Sequence, residues 1–177
     1  MKVLKASFFV LIILVCFCVS AWAESGKFGF VNSQRIRTEY KEFADAQDKF
    51  DKDVAMWQIE LDSMKAEVDS LESELDKQSL LLSEERKKEK EALIKNKKLK
   101  YKQYSTEVLG PDGKIERRNA ELVKPIYDKV MLVLEKIARD GNYTFIFDSI
   151  GGNIAYADKK LDLTDKVLEE LNKLENK

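Results

Sequence analysis

The sequence predicts an α+β protein, mostly helical, in which a long antiparallel α-helical hairpin arm is mounted on a small body with a few β-strands. Three observations carry this reading. Between Gly29 and Gly110 there is neither glycine nor proline, 80 residues without a strong breaker. Within that span Val54, Trp57, Leu61, Met64, Val68, Leu71 and Leu75 recur in alternating steps of three and four, the seam of a heptad. Short aromatic runs, punctuated by glycine, are confined to the two ends of the chain.

Residues 1–23 read as a secretory signal. Lys2 and Lys5 precede the apolar run from Phe8 to Val19, and Ala21-Trp22-Ala23 forms a small-x-small site, so cleavage is expected between Ala23 and Glu24. A run of about 12 apolar residues is shorter than the roughly 20 needed to span a bilayer. Cys16 and Cys18 follow bulky residues where a lipidation signal wants small ones, so both are expected to leave with the leader.

The first body segment, 24–38, opens with the alternating strand Lys27-Phe28-Gly29-Phe30-Val31, and Asn32-Ser33 then offers a helix cap. The arm spans 39–109 with its tip near 78–83. There the seam lapses into Leu80-Leu81-Leu82, and Ser83-Glu84-Glu85 reads as a fresh N-cap with acids in the first turn. A reversal at 80 or 81 places residues whose numbers sum to about 161 opposite each other, setting Trp57 against Tyr104, Leu61 against Tyr101, Val68 against Leu93 and Val54 against Val108.

Charge supports that reversal. From Glu39 to Asp76 there are 13 acids and 4 bases, whereas Arg86 to Lys102 carries 9 bases and 2 acids. Exposed pairs contribute only about 0–1 kcal/mol each, but the segregation into opposed blocks suits two helices lying side by side.

The second body segment, 110–177, begins at the Gly110-Pro111-Asp112-Gly113 break. A helix from Lys114 to Arg139 follows, with Ile115, Leu122, Val123, Ile126, Val130, Leu134 and Ile137 on its apolar face and a kink expected at Pro125. Gly141-Asn142 ends it. Tyr143 to Asp148 is then a strand, Gly151-Gly152 a hairpin turn and Asn153 to Tyr156 a return strand. Asp162 caps a last helix that turns Val167, Leu168, Leu171 and Leu174 inward. So few strands and helices make a thin core, and Phe28, Phe30, Phe145 and Phe147 are too many aromatics to leave in water. Pairing between copies of the chain is expected to cover them.

Composition narrows the chemistry. The chain has no histidine, and its 2 cysteines lie in the leader. That removes Ser–His and Cys–His nucleophiles and imidazole or thiolate metal sites. With 36% charged residues, neighbouring carboxylates arise on any exposed helix. The sequence therefore predicts a binding protein, not an enzyme, with no cofactor. Without Lys2 and Lys5 the 31 basic residues become 29 against 32 acidic, a balance that does not favour nucleic acid as a partner.

The ends carry a resemblance. Phe28-Gly29-Phe30-Val31-Asn32-Ser33-Gln34-Arg35, Glu116-Arg117-Arg118-Asn119, Phe145-Ile146-Phe147-Asp148, Ile154-Ala155-Tyr156 and Asp162-Leu163-Thr164-Asp165-Lys166-Val167-Leu168 resemble the Skp/OmpH family of periplasmic chaperones. The likeness runs over essentially the whole chain after the leader. It implies a homotrimer whose strands form a small intersubunit β-barrel, with three arms around a cavity. It further implies a periplasmic holdase that keeps unfolded outer-membrane proteins from aggregating without ATP and passes them to the outer-membrane assembly machinery. The chain contains no G-x-x-x-x-G-K-[ST] loop. It departs from the strongly basic well-known member in being slightly acidic, and the Gly110-Pro111 break looks like a local addition.

On this reading the client contacts are Trp57, Met64, Tyr101 and Tyr104 together with the basic residues Arg86, Lys87, Lys88, Lys95, Lys97 and Lys98, which also suit lipid headgroups. For the four apolar residues, packing within the hairpin seam is the competing role. The oligomer core is expected from Phe28, Phe30, Phe145, Phe147, Ile154 and Tyr156. A coiled-coil spacer or adaptor of the cell envelope, with no unfolded clients, is the alternative function.

Overall fold

The computed structural model describes residues 26–152 and 154–175; the expected leader and its cleavage site at Ala23 and Glu24 lie outside them. Strand β1 (Lys27–Val31) leads into α1 (Ser33–Glu39), capped by the Asn32 side chain, which accepts from the Arg35 N–H at 2.9 Å. The chain breaks at Tyr40 and continues as α2 (Lys41–Gln78), 38 residues or about 57 Å long. It reverses over 79–83. Helix α3 (Glu84–Leu109) returns, with the Ser83 hydroxyl accepting from the Arg86 N–H at 3.3 Å.

A four-residue break then separates α3 from α4 (Lys114–Gly141). Asp112 adopts a left-handed conformation there, with φ of 53°. Helix α4 is continuous through Pro125 and closes on left-handed Asn142, whose N–H returns to the carbonyls of Ala138 and Arg139. Strand β2 (Tyr143–Asp148), a 3₁₀ turn (Lys159–Leu161) and α5 (Thr164–Glu175) complete the body.

The strands correct one expectation. Among the described residues the sheet has two strands, and β2 pairs with β1 in parallel, Phe28 opposite Phe145 and Phe30 opposite Phe147. Residues 154–157 form no strand, so Ile154 and Tyr156 are not the return arm of a hairpin. The competing partner is the chain's own start: the Val31 carbonyl accepts from the Ser149 N–H at 2.9 Å, and the Phe30 carbonyl from the Leu163 N–H at 2.8 Å. The segment after β2 therefore crosses β1 and delivers the chain to α5.

The core of the body lies under this sheet. Tyr40 at the break, Phe43 and Ala46 from the root of α2, Ile126, Val130, Val133 and Ile137 from α4, and Val167, Leu168 and Leu171 from α5 form one buried cluster with Val31 and Ile36. Gly29 sits at a close approach, since a Cβ there would meet Leu163 Cδ1 at 2.6 Å and the Tyr143 ring at 3.1 Å, and both would have to shift. Buried Thr164 fastens α5 to α1: its hydroxyl accepts from the Asn32 N–H at 2.9 Å and bonds Asp162 at 2.5 Å.

One ionic contact in the body gives a pH prediction. Glu170 of α5 bonds Lys136 of α4 and, at 3.0 Å, Lys173; these bonds hold its carboxyl down to about 2. Its folded pKa lies below the ordinary 4.5, so the stabilisation is present above about pH 4.5 and disappears as pH falls toward 2. Lys136→Met should flatten the loss of melting temperature across that window. An unchanged acid profile would contradict this origin.

Candidate binding surfaces

The arm is a two-helix seam with an ionic border. Leu61 and Val68 of α2 and Ile94 and Val108 of α3 are its buried residues, with Trp57, Met64, Leu71, Leu75, Tyr101 and Tyr104 half-buried beside them. Leu93, expected against Val68, is instead 46% exposed, and its neighbour Ile94 takes the inward position. The positions of α3 that turn inward are 87, 90, 94, 97, 101, 104 and 108, alternating steps of three and four. Three of them are lysines, which hides the periodicity from a hydrophobic pattern. Their apolar stems lie along the seam while their ammonium groups reach out of it.

The border sets the register. Glu60 accepts from the Tyr104 hydroxyl, Glu67 pairs with Lys97 at 2.5 Å, and Glu74 pairs with Lys90 at 3.7 Å. The paired numbers sum to 164 in all three cases, so a single seven-residue period runs along both helices, three residues displaced from the expected register. Burial and the adjacent Glu60 push the Tyr104 phenol up to about 12. Lys98 pairs with Glu72 across the opposite edge. At the root, Arg118 of α4 bonds Asp53 at 2.7 Å and the Lys114 ammonium lies 4.5 Å from the Tyr104 ring centroid.

These pairs are half-exposed and each contributes less than about 1 kcal/mol. Glu67→Gln combined with Glu74→Gln should therefore speed amide hydrogen exchange in the outer half of the arm and leave the body amides unchanged. A uniform change across the chain would show that arm and body unfold as one unit.

The residues proposed from sequence as client contacts thus divide. Trp57, Met64, Tyr101 and Tyr104 are occupied within the seam; Lys97 and Lys98 are paired with carboxylates; Arg86 pairs with Glu89 at 3.3 Å; Lys87 is half-buried at the seam's end. Lys88 and Lys95 remain exposed and, with Lys102, repeat every seven residues along one flank of α3. Exposed apolar residues missed from sequence are Met56 and Ile59 on the back of α2 and Leu80 and Leu81 at the tip, the last two 97% and 87% exposed. The signal for Met56 and Ile59 was their offset from the seam.

A second surface lies on the sheet. Gly29, Val31 and Ile146 turn toward the core, whereas Phe28, Phe145 and Phe147 stand outward, each about half exposed. Their rings stack with centroids 6.0 to 6.4 Å apart. Phe30, Ile154 and Tyr156 continue this face into a shallow groove with Leu161, and Tyr156 is 89% exposed. The six residues expected in an oligomer core are therefore brought together on one apolar surface that a single chain leaves uncovered.

The family model described as "Outer membrane protein (OmpH-like)" matches residues 27–171, which takes in β1, the whole arm, α4, β2 and most of α5. The chain belongs to the OmpH-like family. An uncharacterized protein of Aquifex aeolicus (strain VF5) is 28% identical over 146 residues, covering 82% of this chain and 86% of that protein. Among solved structures, a candidate outer membrane chaperone (OmpH-like) from Caulobacter crescentus CB15 superposes with a TM-score of 0.73. It is 12% identical, and the match covers 84% of this chain and 85% of that one, so the likeness is one of fold.

Proposed function

We propose that this chain is an ATP-independent periplasmic holdase, working as a homotrimer, that binds unfolded outer-membrane proteins and prevents their aggregation in transit. The OmpH-like match over the arm and both ends of the body carries this reading. The uncovered aromatic sheet face supplies a reason for assembly, because three stacked phenylalanines in water favour burial against further copies. Three such sheets would close into the intersubunit barrel and set three arms around one cavity.

Client retention then comes from many weak contacts and not from one deep pocket. The exposed lysines Lys88, Lys95 and Lys102 supply long-range attraction, and Met56, Ile59, Leu80 and Leu81 supply short-range apolar contact. Lipid headgroups would use the same lysines, and hand-over to the outer-membrane assembly machinery would follow from the weakness of each contact.

The test is light scattering while a denatured β-barrel protein is diluted out of urea. Near-stoichiometric suppression without nucleotide is expected. Failure to suppress, together with tight binding to one folded envelope protein, would replace the holdase with a spacer or adaptor.

A further inference from the structure

At the root of the arm, where the start of α2 meets α4, lies a cavity of about 220 Å³. Phe43, Phe50, Leu122 and Val123 form its apolar wall, and the Tyr127 ring closes one side, set edge-on to Phe43 at 5.5 Å. Arg37 of α1 is the charged residue in the lining. Among the described residues no carboxylate lies within 4.0 Å of its guanidinium. Arg37 donates instead to the Tyr127 hydroxyl, with the ring centroid 5.8 Å away. Two residues earlier in the same helix the opposite choice is made: Arg35 is clamped by Glu39 and Asp165.

We propose that this cavity binds the C-terminal residue of a polypeptide, with an apolar side chain against Phe50 and Leu122 and the terminal carboxylate on Arg37. An uncompensated guanidinium at the rim of an apolar cavity selects an anion that is apolar at its other end. Planar, two-pronged donation suits a carboxylate. Since roughly 150 Å³ is enough to hold benzene, this volume takes a phenylalanine or leucine side chain. Internal residues of a chain offer such side chains without a carboxylate beside them, and polar acids lack the apolar part.

A fatty acid shares that chemistry. The rim favours a peptide, because the Gln47 and Asn119 amides flank the cavity and can bond the peptide group that precedes the terminal residue. The Gln47 amide already donates to Asp51 at 2.8 Å, which keeps that carboxylate turned along its own helix. The site itself stands on geometry alone; that its occupant is a client's end rests on the holdase reading.

Calorimetric titration of the assembled protein tests this with three probes: a ten-residue peptide ending in a free phenylalanine carboxylate, the same peptide ending in an amide, and decanoate. The acid peptide should bind at least about tenfold more tightly than the amide. Arg37→Gln should erase that preference with the melting temperature unchanged, and Leu122→Trp should block both peptides by filling the cavity. Equal binding of acid and amide, or an Arg37→Gln variant that keeps the preference, would overturn the proposal. Decanoate binding more tightly than the acid peptide would overturn it in favour of a lipid acid. Should Leu122→Trp fail to fold, Arg37→Gln decides alone. Aggregation suppression without peptide preference would defeat only this site; peptide preference without suppression would defeat only the holdase reading.

Discussion

Phe145→Glu is expected to break the proposed assembly into single chains while leaving the body folded. Phe145 is 56% exposed in the single chain and packs on Phe28 and Phe147 at 6.0 Å in each case, outside the buried cluster beneath the sheet. Its removal therefore costs the isolated fold little. In an assembly each phenylalanine that becomes buried contributes about 1.5–3 kcal/mol, and a carboxylate placed among stacked rings adds a desolvation penalty of several kcal/mol. Repeated at every subunit contact, that loss exceeds what holds copies together at micromolar concentration. Solution mass should fall to that of one chain with the helical circular dichroism retained. Suppression of aggregation should fall with it, since separate arms enclose nothing. A mass unchanged by the substitution would remove the sheet face from the assembly, and a wild-type protein already single at micromolar concentration would remove the assembly itself.

Leu171→Ala should be the most destabilising single change in the body, costing about 2–5 kcal/mol. Leu171 is fully buried with Val167 on the face of α5 that meets Ile137 of α4. Alanine would leave a cavity in the cluster that α1, α4 and α5 build together, so closing it would need several packed elements to shift at once. The urea midpoint should drop with the slope unchanged. Leu61→Ala in the arm, also a buried position, should behave differently. Two helices alone surround it, so they can close over the gap, and its effect should appear as faster local exchange and not as a lower midpoint. Equal shifts in the midpoint from both variants would show that arm and body melt together.

The contrast between the two arm helices explains what could be read from the residues. In α2 the seam is made of Val54, Trp57, Leu61, Met64, Val68, Leu71 and Leu75, so periodicity announces both the helix and its inward face. In α3 the equivalent positions include Lys87, Lys90 and Lys97, whose burial depends on acceptors in the other helix. No local pattern reveals a lysine that lies inward because a glutamate waits across the seam. The same reason moved Leu93 outward and Ile94 inward, and shifted the register by three residues. The candidate contacts suffered most, because aromatic residues spaced for binding and aromatic residues spaced for packing look alike until the partner helix is in place.

The strands show a second limit. Tyr143–Asp148 is a strand by its own alternation, and Gly151-Gly152 supplies turn chemistry. Which strand it joins is decided by competition between a nearby segment and one more than a hundred residues away. The distant partner prevails because β1 is already held beside α5 by the Asn32–Thr164 bond and the contact of Gly29 with Leu163.

By itself, then, the sequence determined the helical hairpin, its reversal near residue 80 and the aromatic character of the body strands, since all three follow from local breakers, caps and periodicity. Tertiary structure alone decided the parallel pairing of β1 with β2, the register of the arm, and the division of its lysines into those bound by glutamates and those left exposed. Those outcomes depend on groups far apart in the chain whose attraction exists only after the helices and strands have met.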